Sequence, residues 1–564
     1  MSSSMSSLTL GLFAMTGCCA LARADWSNLG GNAGANGLMP TSGPATATQV
    51  WVRNDSPGLI AWAPAVEGDR MFVVRQTQAQ NPVTGPGDSI VRCLSLATGA
   101  TLWSFDCPFA PGDWTTVVYG ARDGRVYVGR GGNGSSSSAP VYCLSAQTGA
   151  VLWTSANEVA TGSYDGVVFL DDGDPVFTSH VEVRRIDALT GATVWASART
   201  CSVSGTCGPA RDGDAIYLDE SAPNGQVISR FSATTGQRQY SSPLMPGFLC
   251  QNSPFCAPGG LVFYLRTQNS ASVDKFYAFR DTGSALVLQW SEPARHEFSA
   301  RHAITPDGGV TMLGPDGRLQ VRDQLTGALR GQSASPVLAA SGFQSSMTCV
   351  DQQGRVFYGN GGGGSPGDIF AFRSPTSTAG MLLEWSLPGI AGLNQGGPVL
   401  AADGSLLVAH TTAIRRYFAA TLVNYCTAGT STAGCVASLS ATGQPRASAS
   451  SSFTLQATAL EGNRQALFFY GISGRSVNAW GSSSSFLCVK SPTQRTPSQN
   501  SGGVLGSCSG SLALDWLAFV AANPTALGVP FSSGDVVQAQ AWYRDPPSPK
   551  TTHLSNAVEF TLVP

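Results

Sequence analysis

Residues 185–195 read RIDALTGATVW: an alternating strand, a polar turn closed by Thr190-Gly191, and a second strand that ends on Trp195. A glycine after the threonine supplies the positive φ that so tight a turn needs. The same frame returns as CLSLATGATLW (93–103), CLSAQTGAVLW (143–153) and RFSATTGQRQY (230–240). Looser copies follow as AFRDTGSALVLQW (278–290), VRDQLTGALRG (321–331) and AFRSPTSTAGMLLEW (371–385). Each copy reads as a hairpin. Upstream of each lies another turn, Asp-Gly or Gly-rich, followed by an aromatic and β-branched run. Examples are RDGRVYVG (122–129), RDGDAIYL (211–218), PGGLVFYL (258–265) and DQQGRVFYG (351–359). The last of these, ADGSLLVA (402–409), brings the units to eight. Four short strands recurring about every 40 to 55 residues predict a β-propeller. A lone four-stranded blade cannot bury both its faces, so blades stack around an axis and the ring closes on itself.

The point of closure is also legible. The eighth unit stops at ADGSLLVAHTTAIRRYFA (402–419) without its final Trp, whereas TATQVWVRND (46–55) near the N-terminus is a strand without a hairpin partner. The first strand is therefore expected to complete the last blade, with Trp51 in the missing position.

The composition agrees with this all-β reading. Of 564 residues 42% are hydrophobic and only 12% charged, about half the share usual in a globular domain, while Gly (66) and Pro (33) are abundant. Long helices prefer the opposite balance. Net charge is −2, and Lys275, Lys490 and Lys550 are the only lysines. Nucleic acid and anionic membrane surfaces are poor partners for such a chain.

The segment Asp187 to Trp195 resembles the tryptophan-docking motif of the pyrroloquinoline-quinone-like eight-bladed propellers. That superfamily includes quinoprotein alcohol dehydrogenases and a lipoprotein subunit of the outer-membrane barrel assembly machine. The opening DWSNLGGNAGANG (25–37) resembles the start of the same fold. The resemblance covers about residues 25–420. It implies that Trp51, Trp103, Trp153, Trp195, Trp290 and Trp385 dock between blades, and that Gly99, Gly149 and Gly191 let the rings lie flat on the backbone. After Phe418 the repeat disappears. Residues 426–564 carry alternating runs such as FTLQATAL (453–460), QALFFYGIS (465–473) and DVVQAQAWYRD (535–545), which predict a β-sandwich, with one short helix in LALDWLAFVAANP (512–524). This block resembles a C-terminal module of secreted bacterial proteins and implies no chemistry.

Residues 1–24 read as a secretory signal, with the apolar run LTLGLFAMTGCCALA and a small-x-small site at Ala22-Arg23-Ala24. The competing reading is a lipid tether at Cys18, after Thr16-Gly17. Twelve cysteines remain beyond the signal, an even number that suits an oxidising compartment. Cys201 with Cys207 and Cys250 with Cys256 share one spacing and are expected to close loops as disulfides. Cys426 with Cys435 and Cys488 with Cys508 are the natural pairs near the C-terminus. Cys93, Cys107, Cys143 and Cys349 stay open among three connectivities.

Chemistry is sparse. No lysine follows a glycine, which excludes a P-loop. His296, Glu297 and His302 form the one histidine cluster in the sequence, and it reads as a solvent-exposed loop between blades rather than a metal site. Asp171-Asp172-Gly173-Asp174 coincides with a repeat turn rather than a calcium loop. Quinoproteins of the resembled superfamily carry an adjacent Cys-Cys disulfide, calcium held by Glu and Asn, and a catalytic Asp. Here the adjacent pair, Cys18-Cys19, lies within the signal, and no Cys-x-x-Cys-His haem site occurs. The chain therefore reads as a secreted or periplasmic, monomeric, non-catalytic binding scaffold. No catalytic residue, metal or cofactor is assigned. Protein, peptide or polysaccharide is expected on the propeller loops. The alternatives are a barrel-assembly-like periplasmic scaffold and a quinone-dependent alcohol or sugar dehydrogenase.

Overall fold

The computed structural model describes residues 25–563 apart from 55–61, 77–88, 109–114, 132–137, 157–158, 161–166, 202–207, 248–251, 269–273, 339–344, 362–366, 376–379, 392–395, 419–421, 482–483 and 533–534. The signal reading for 1–24, the Cys18 tether included, falls outside the described residues, as do Cys207 and Cys250.

Eight antiparallel sheets follow one another along the chain; in the regular ones a meander runs from an inner strand that precedes the Asp-Gly-type turn to an outer strand that follows the Thr-Gly turn. Blade 3 is representative: Val167–Phe169, Pro175–Thr178, Glu182–Ile186 and Thr193–Ala198 pair in that order. Blade 6 has three strands, and its innermost one is reduced to a bridge between Ile304 and Val310. The eighth sheet is assembled from both ends of the ring, with Thr48–Asn54 pairing Ala413–Phe418 so that Trp51 faces Arg416.

The register repeats with the sequence. Cys93 faces Trp103, Cys143 faces Trp153, Arg185 faces Trp195 and Ala278 faces Trp290, and a bulge follows each of these pairs. A bulge twists the outer strand and re-aims its side chains, which turns the Trp inward while the residue before it, Leu102 or Leu152, stays exposed. The core lies between blades. Phe72, Val91, Trp103, Tyr127 and Val128, drawn from the first two blades, form one apolar cluster.

Residues 26–41 form a belt across the inner strands. The Trp26 carbonyl accepts from Val66 N of blade 1, and the Ser27 carbonyl from Ala121 N of blade 2. Asn28 Nδ2 donates to the Val167 carbonyl of blade 3. The carbonyls of Ala33, Gly34, Asn36 and Gly37 then accept from Arg211, Cys256, Ile304 and Val350 of blades 4 to 7. Thr41 Oγ1 finally donates to the Ala402 carbonyl of blade 8. One glycine- and asparagine-rich segment thus satisfies a backbone group on every blade, with Trp26 fully buried beneath it.

From Leu422 onward the strands pair in sheets of their own. The larger sheet orders Leu422–Tyr425, Thr552–Thr561, Val536–Arg544, Gln465–Gly471 and Thr493–Arg495. A three-stranded sheet of Ser438–Gly443, Phe453–Leu460 and Gly510–Asp515 faces it across a core that includes Phe453, Leu455, Tyr470, Trp516, Val537 and Phe560. The helix Trp516–Ala522 starts at Asp515, whose side chain accepts from Ala518 N.

The disulfides differ from the expected pairs: Cys426 bonds Cys488 and Cys435 bonds Cys508. Ser431 N donates to the Cys435 carbonyl and Gly434 N to the Ser431 carbonyl, a tight turn that holds Cys435 apart from Cys426. Tyr425 Oη donates to the Cys488 carbonyl at 2.9 Å and holds the two segments together. Of the expected Cys250–Cys256 pair, Cys250 lies outside the described residues. Cys256 lies on the innermost strand of blade 5 as a buried free thiol, its amide bonded to the belt at Gly34. Cys93, Cys143 and Cys349 are likewise buried free thiols.

Candidate functional site

The docking residues occupy the seams. Trp103 Nε1 donates to the Ala146 carbonyl at 3.0 Å and Trp153 Nε1 to Ala188 at 2.9 Å, each reaching from its own blade to the Thr-Gly turn of the next. Trp195 donates in the same way to Ala233 and Trp290 to Gln324, both at 3.0 Å. Trp51 of blade 8 donates to Leu96 of blade 1 at 2.9 Å, so the series runs across the closure. Trp385 departs from it and donates to Pro44 O, in the N-terminal segment.

Gly191 shows why the turn glycine is needed: its φ is +74°, and a Cβ there would stand 2.7 Å from Trp153 Cε3. Gly99 and Gly149 lie under Trp51 and Trp103 in the same manner, and Gly236 and Gly327 under Trp195 and Trp290. In blade 4 Tyr240 takes the indole's place and donates to Asp281 Oδ1 of blade 5 at 2.5 Å. In blade 6 the position is Gly331, and Pro375 of the next blade fills the space.

Histidine chemistry is not where the sequence suggested. Glu297 and His302 are buried, not exposed, because the connection 294–304 dives to the axis and supplies the innermost segment of blade 6. His302 Nε2 stands 2.8 Å from Glu297 Oε2, and Ser346 Oγ donates to the other carboxylate oxygen. Asn252 Nδ2 and Thr267 Oγ1 both donate to the Glu297 carbonyl. His296 is half-buried beside this network, and burial lowers its pKa.

The accessible feature lies at the other end of the ring, on the face formed by the turns. Three adjoining hollows of about 390, 380 and 330 Å³ run from blade 2 to blade 5. Asp171 and Arg211 line both larger hollows, and Asp172 and Arg185 link the middle one to the third. The belt forms the inner wall through Asn32, Ala33, Gly34 and Asn36.

Fixed arginines hold the carboxylates of this trough. Arg211 binds Asp171 with both terminal nitrogens, at 2.9 and 2.8 Å. Arg185 bridges Asp172 at 2.5 Å and Asp174 at 2.8 Å. The arginine side chains are 16% and 9% exposed at Arg185 and Arg211, whereas Asp171 is 90% exposed and Asp172 54%. The guanidinium groups are therefore set into the wall while the acid oxygens meet solvent. The hydrogen bond from Arg211 holds the Asp171 carboxyl below its usual pKa, and the Thr190 hydroxyl and amide do the same for Asp187. Asp212 Oδ2 accepts from Gly259 N and Gly260 N at 2.9 and 2.8 Å, which ties blade 4 to blade 5 beside the trough. The expected repeat turn at 171–174 thus carries the acidic side of a surface groove.

This surface escaped sequence reasoning because Asp171 and Arg211 meet across a blade seam, forty residues apart in the chain. The one available signal was that arginine and aspartate recur at the turns of successive units.

A quinone with its calcium is what the fold type implies at the axis, and the residues there do not fit it. Glu297 is taken by His302 and Ser346, and Asp219 meets Arg199 Nη2 at 3.2 Å. Among the described residues no group of three or more His, Cys, Asp or Glu is placed to hold a metal ion. No adjacent cysteines follow Cys18-Cys19. The buried thiols are poor nucleophiles, since burial pushes Cys93 and Cys143 up to about 12.

Fold and seams together define a β-propeller. A family model described as outer membrane protein assembly factor BamB matches residues 87–270, from blade 1 into blade 5. Quinohemoprotein alcohol dehydrogenase from Comamonas testosteroni is similar in fold, with a TM-score of 0.51 at 11% identity over 71% of this chain and 81% of that one. A second such enzyme, from Pseudomonas putida HK5, gives 0.48 at 13% identity over 70% and 80%. BamB from Moraxella catarrhalis gives 0.43 at 14% identity over 66% and 98%. No curated protein matches the chain in sequence. Among the described residues no helix is long and apolar enough to cross a membrane.

Proposed function

We propose that the protein is a secreted or periplasmic, non-catalytic β-propeller scaffold whose turn face binds a protein partner. The observation that carries this reading is the trough across blades 2 to 5, where exposed carboxylates alternate with arginines already fixed in place. A groove of mixed sign held by second partners presents charge without an ordering cost at association, and it selects partners of complementary pattern. The match of residues 87–270 to a model named for an assembly factor supports a protein partner, because that stretch builds the same blades. The two disulfides support an extracytoplasmic setting.

Affinity capture from the native envelope tests the reading when it is run with matched variants. Asp172→Lys together with Arg185→Glu is expected to abolish recovery of the species held by the wild type, while a substitution on the outer rim, Leu152→Asn, leaves it unchanged. Equal recovery by all three proteins overturns the proposal. A parallel assay adds pyrroloquinoline quinone, calcium and an electron-accepting dye with a panel of alcohols and sugars. No turnover is expected, and substrate-dependent dye reduction would replace the scaffold reading with the dehydrogenase one.

A further inference from the structure

The C-terminal unit holds a cavity that the turn-face reading does not use. Strand alternation turns one face of its larger sheet toward the core and puts Leu467, Phe469, Trp542 and Leu554 on the other. The hairpin Arg475–Ala479 with Phe486–Val489 covers that second face through Leu487 and Val489. Between hairpin and sheet remains a cavity of about 390 Å³, closed at one side by Trp480. That volume falls within the roughly 300–1,000 Å³ of small-molecule sites.

Two features narrow the ligand. The floor is apolar, with Val489 and Leu554 at most 1% exposed and three aromatic rings around them. The rim is cationic: Arg495 and Lys550 line it, and no Asp or Glu does. Many arginines elsewhere are matched to carboxylates, as at Arg184, Arg185 and Arg211. Among the described residues neither Arg495 nor Lys550 has such a partner. Lys550 Nζ stands instead 4.0 Å from the Trp480 ring centroid, a contact that positions the ammonium without neutralising it. Trp480 Nε1 donates to Thr552 Oγ1 at 3.0 Å and fixes the ring. Thr493 and Ser491 add hydroxyls beside the cations.

An apolar chamber with uncompensated positive charge at its mouth suits an anion with a hydrophobic body. We propose that this cavity binds a medium-chain carboxylate, its chain among Phe469, Trp542 and Leu554 and its carboxylate between Arg495 and Lys550.

Calorimetric titration of the full-length protein with octanoate tests the assignment, with octanol as the neutral analogue. Saturable one-site binding is expected for octanoate. The double variant Arg495→Gln, Lys550→Gln should weaken it about tenfold, the scale of two partly screened charge contacts, and leave octanol unaffected. Both side chains are exposed, so this variant keeps the core intact. Leu467→Trp, which fills the chamber, should abolish binding of both ligands. The proposal is overturned if octanoate does not saturate, if octanol binds as tightly, or if the double variant binds octanoate like the wild type.

Discussion

In the ring, neighbouring blades are joined by an indole N–H on a turn carbonyl, repeated from Trp51 to Trp290, and cysteines such as Cys93 and Cys143 remain buried thiols. In the C-terminal unit two disulfides instead cross-link residues 62 and 73 positions apart. The difference follows from how each unit buries its surface. A blade meets two neighbours over whole sheet faces, so one recurring contact per seam adds to an extensive apolar interface. The smaller unit has a single core between two sheets, and covalent bonds remove entropy from its unfolded chain instead.

That contrast predicts separable responses. The largest effect is expected from Trp153→Ala, which empties a buried seam and removes a hydrogen bond, costing about 4 kcal/mol of ring stability. Chemical denaturation followed at the ring should show it, with the C-terminal transition unmoved. Next comes replacement of Cys435 and Cys508 together by Ser, which should destabilise the C-terminal unit by about 3 kcal/mol and leave the ring transition in place. Loss of both transitions together would mean that the units do not unfold independently.

Gly191→Ala and Gly213→Ala form a finer comparison inside the ring. Both residues have positive φ, but a Cβ at Gly191 strikes Trp153 whereas one at Gly213 meets nothing within 4 Å. Gly213→Ala should cost about 1 kcal/mol from backbone strain alone, and Gly191→Ala at least about 2 kcal/mol. Equal costs would show that the ring does not rest on the glycine.

The smallest effect concerns acid. Thr190 hydrogen bonds lower the Asp187 carboxyl; at Asp323 burial opposes ionisation, but hydrogen bonds from Thr326 and Leu325 outweigh it. A depressed folded-state pKa contributes stability that is complete above the unfolded value near ~4 and disappears as pH falls through the folded value. Asp187→Asn with Asp323→Asn should therefore lower stability slightly at neutral pH and bring the variant level with the wild type as pH falls below about 4, which flattens the acid limb of the stability-versus-pH curve.

The seams were legible because their chemistry is local. Thr-Gly and a Trp a few residues later fix turn and strand within one hairpin, and the orphan strand around Trp51 marks the closure. What the motif alone did not reveal is that every docking Trp except Trp385 serves the next blade's glycine, or that blade 6 carries Gly331 and fills the seam with Pro375. The cysteine pairing was not legible because Cys426 and Cys435 are close in sequence yet flank a turn that closes by its own hydrogen bonds. Glu297 and His302 look like a polar loop in sequence, and only the run of chain 294–304 to the axis buries them. Both cavities arise where side chains from distant segments converge, Asp171 with Arg211 in one and Trp480 with Trp542 in the other. Spacing along the chain says nothing about such meetings.

Site-specific photocrosslinking in the native envelope addresses the central claim most directly. A photoreactive residue at Leu189, 71% exposed beside the trough, is compared with one at Leu382, 61% exposed on the outer strand of blade 7. A discrete adduct from position 189 and none from 382 is the predicted result. An adduct from the rim alone, or none from position 189 while the partner is still captured, would contradict the turn face as the binding surface.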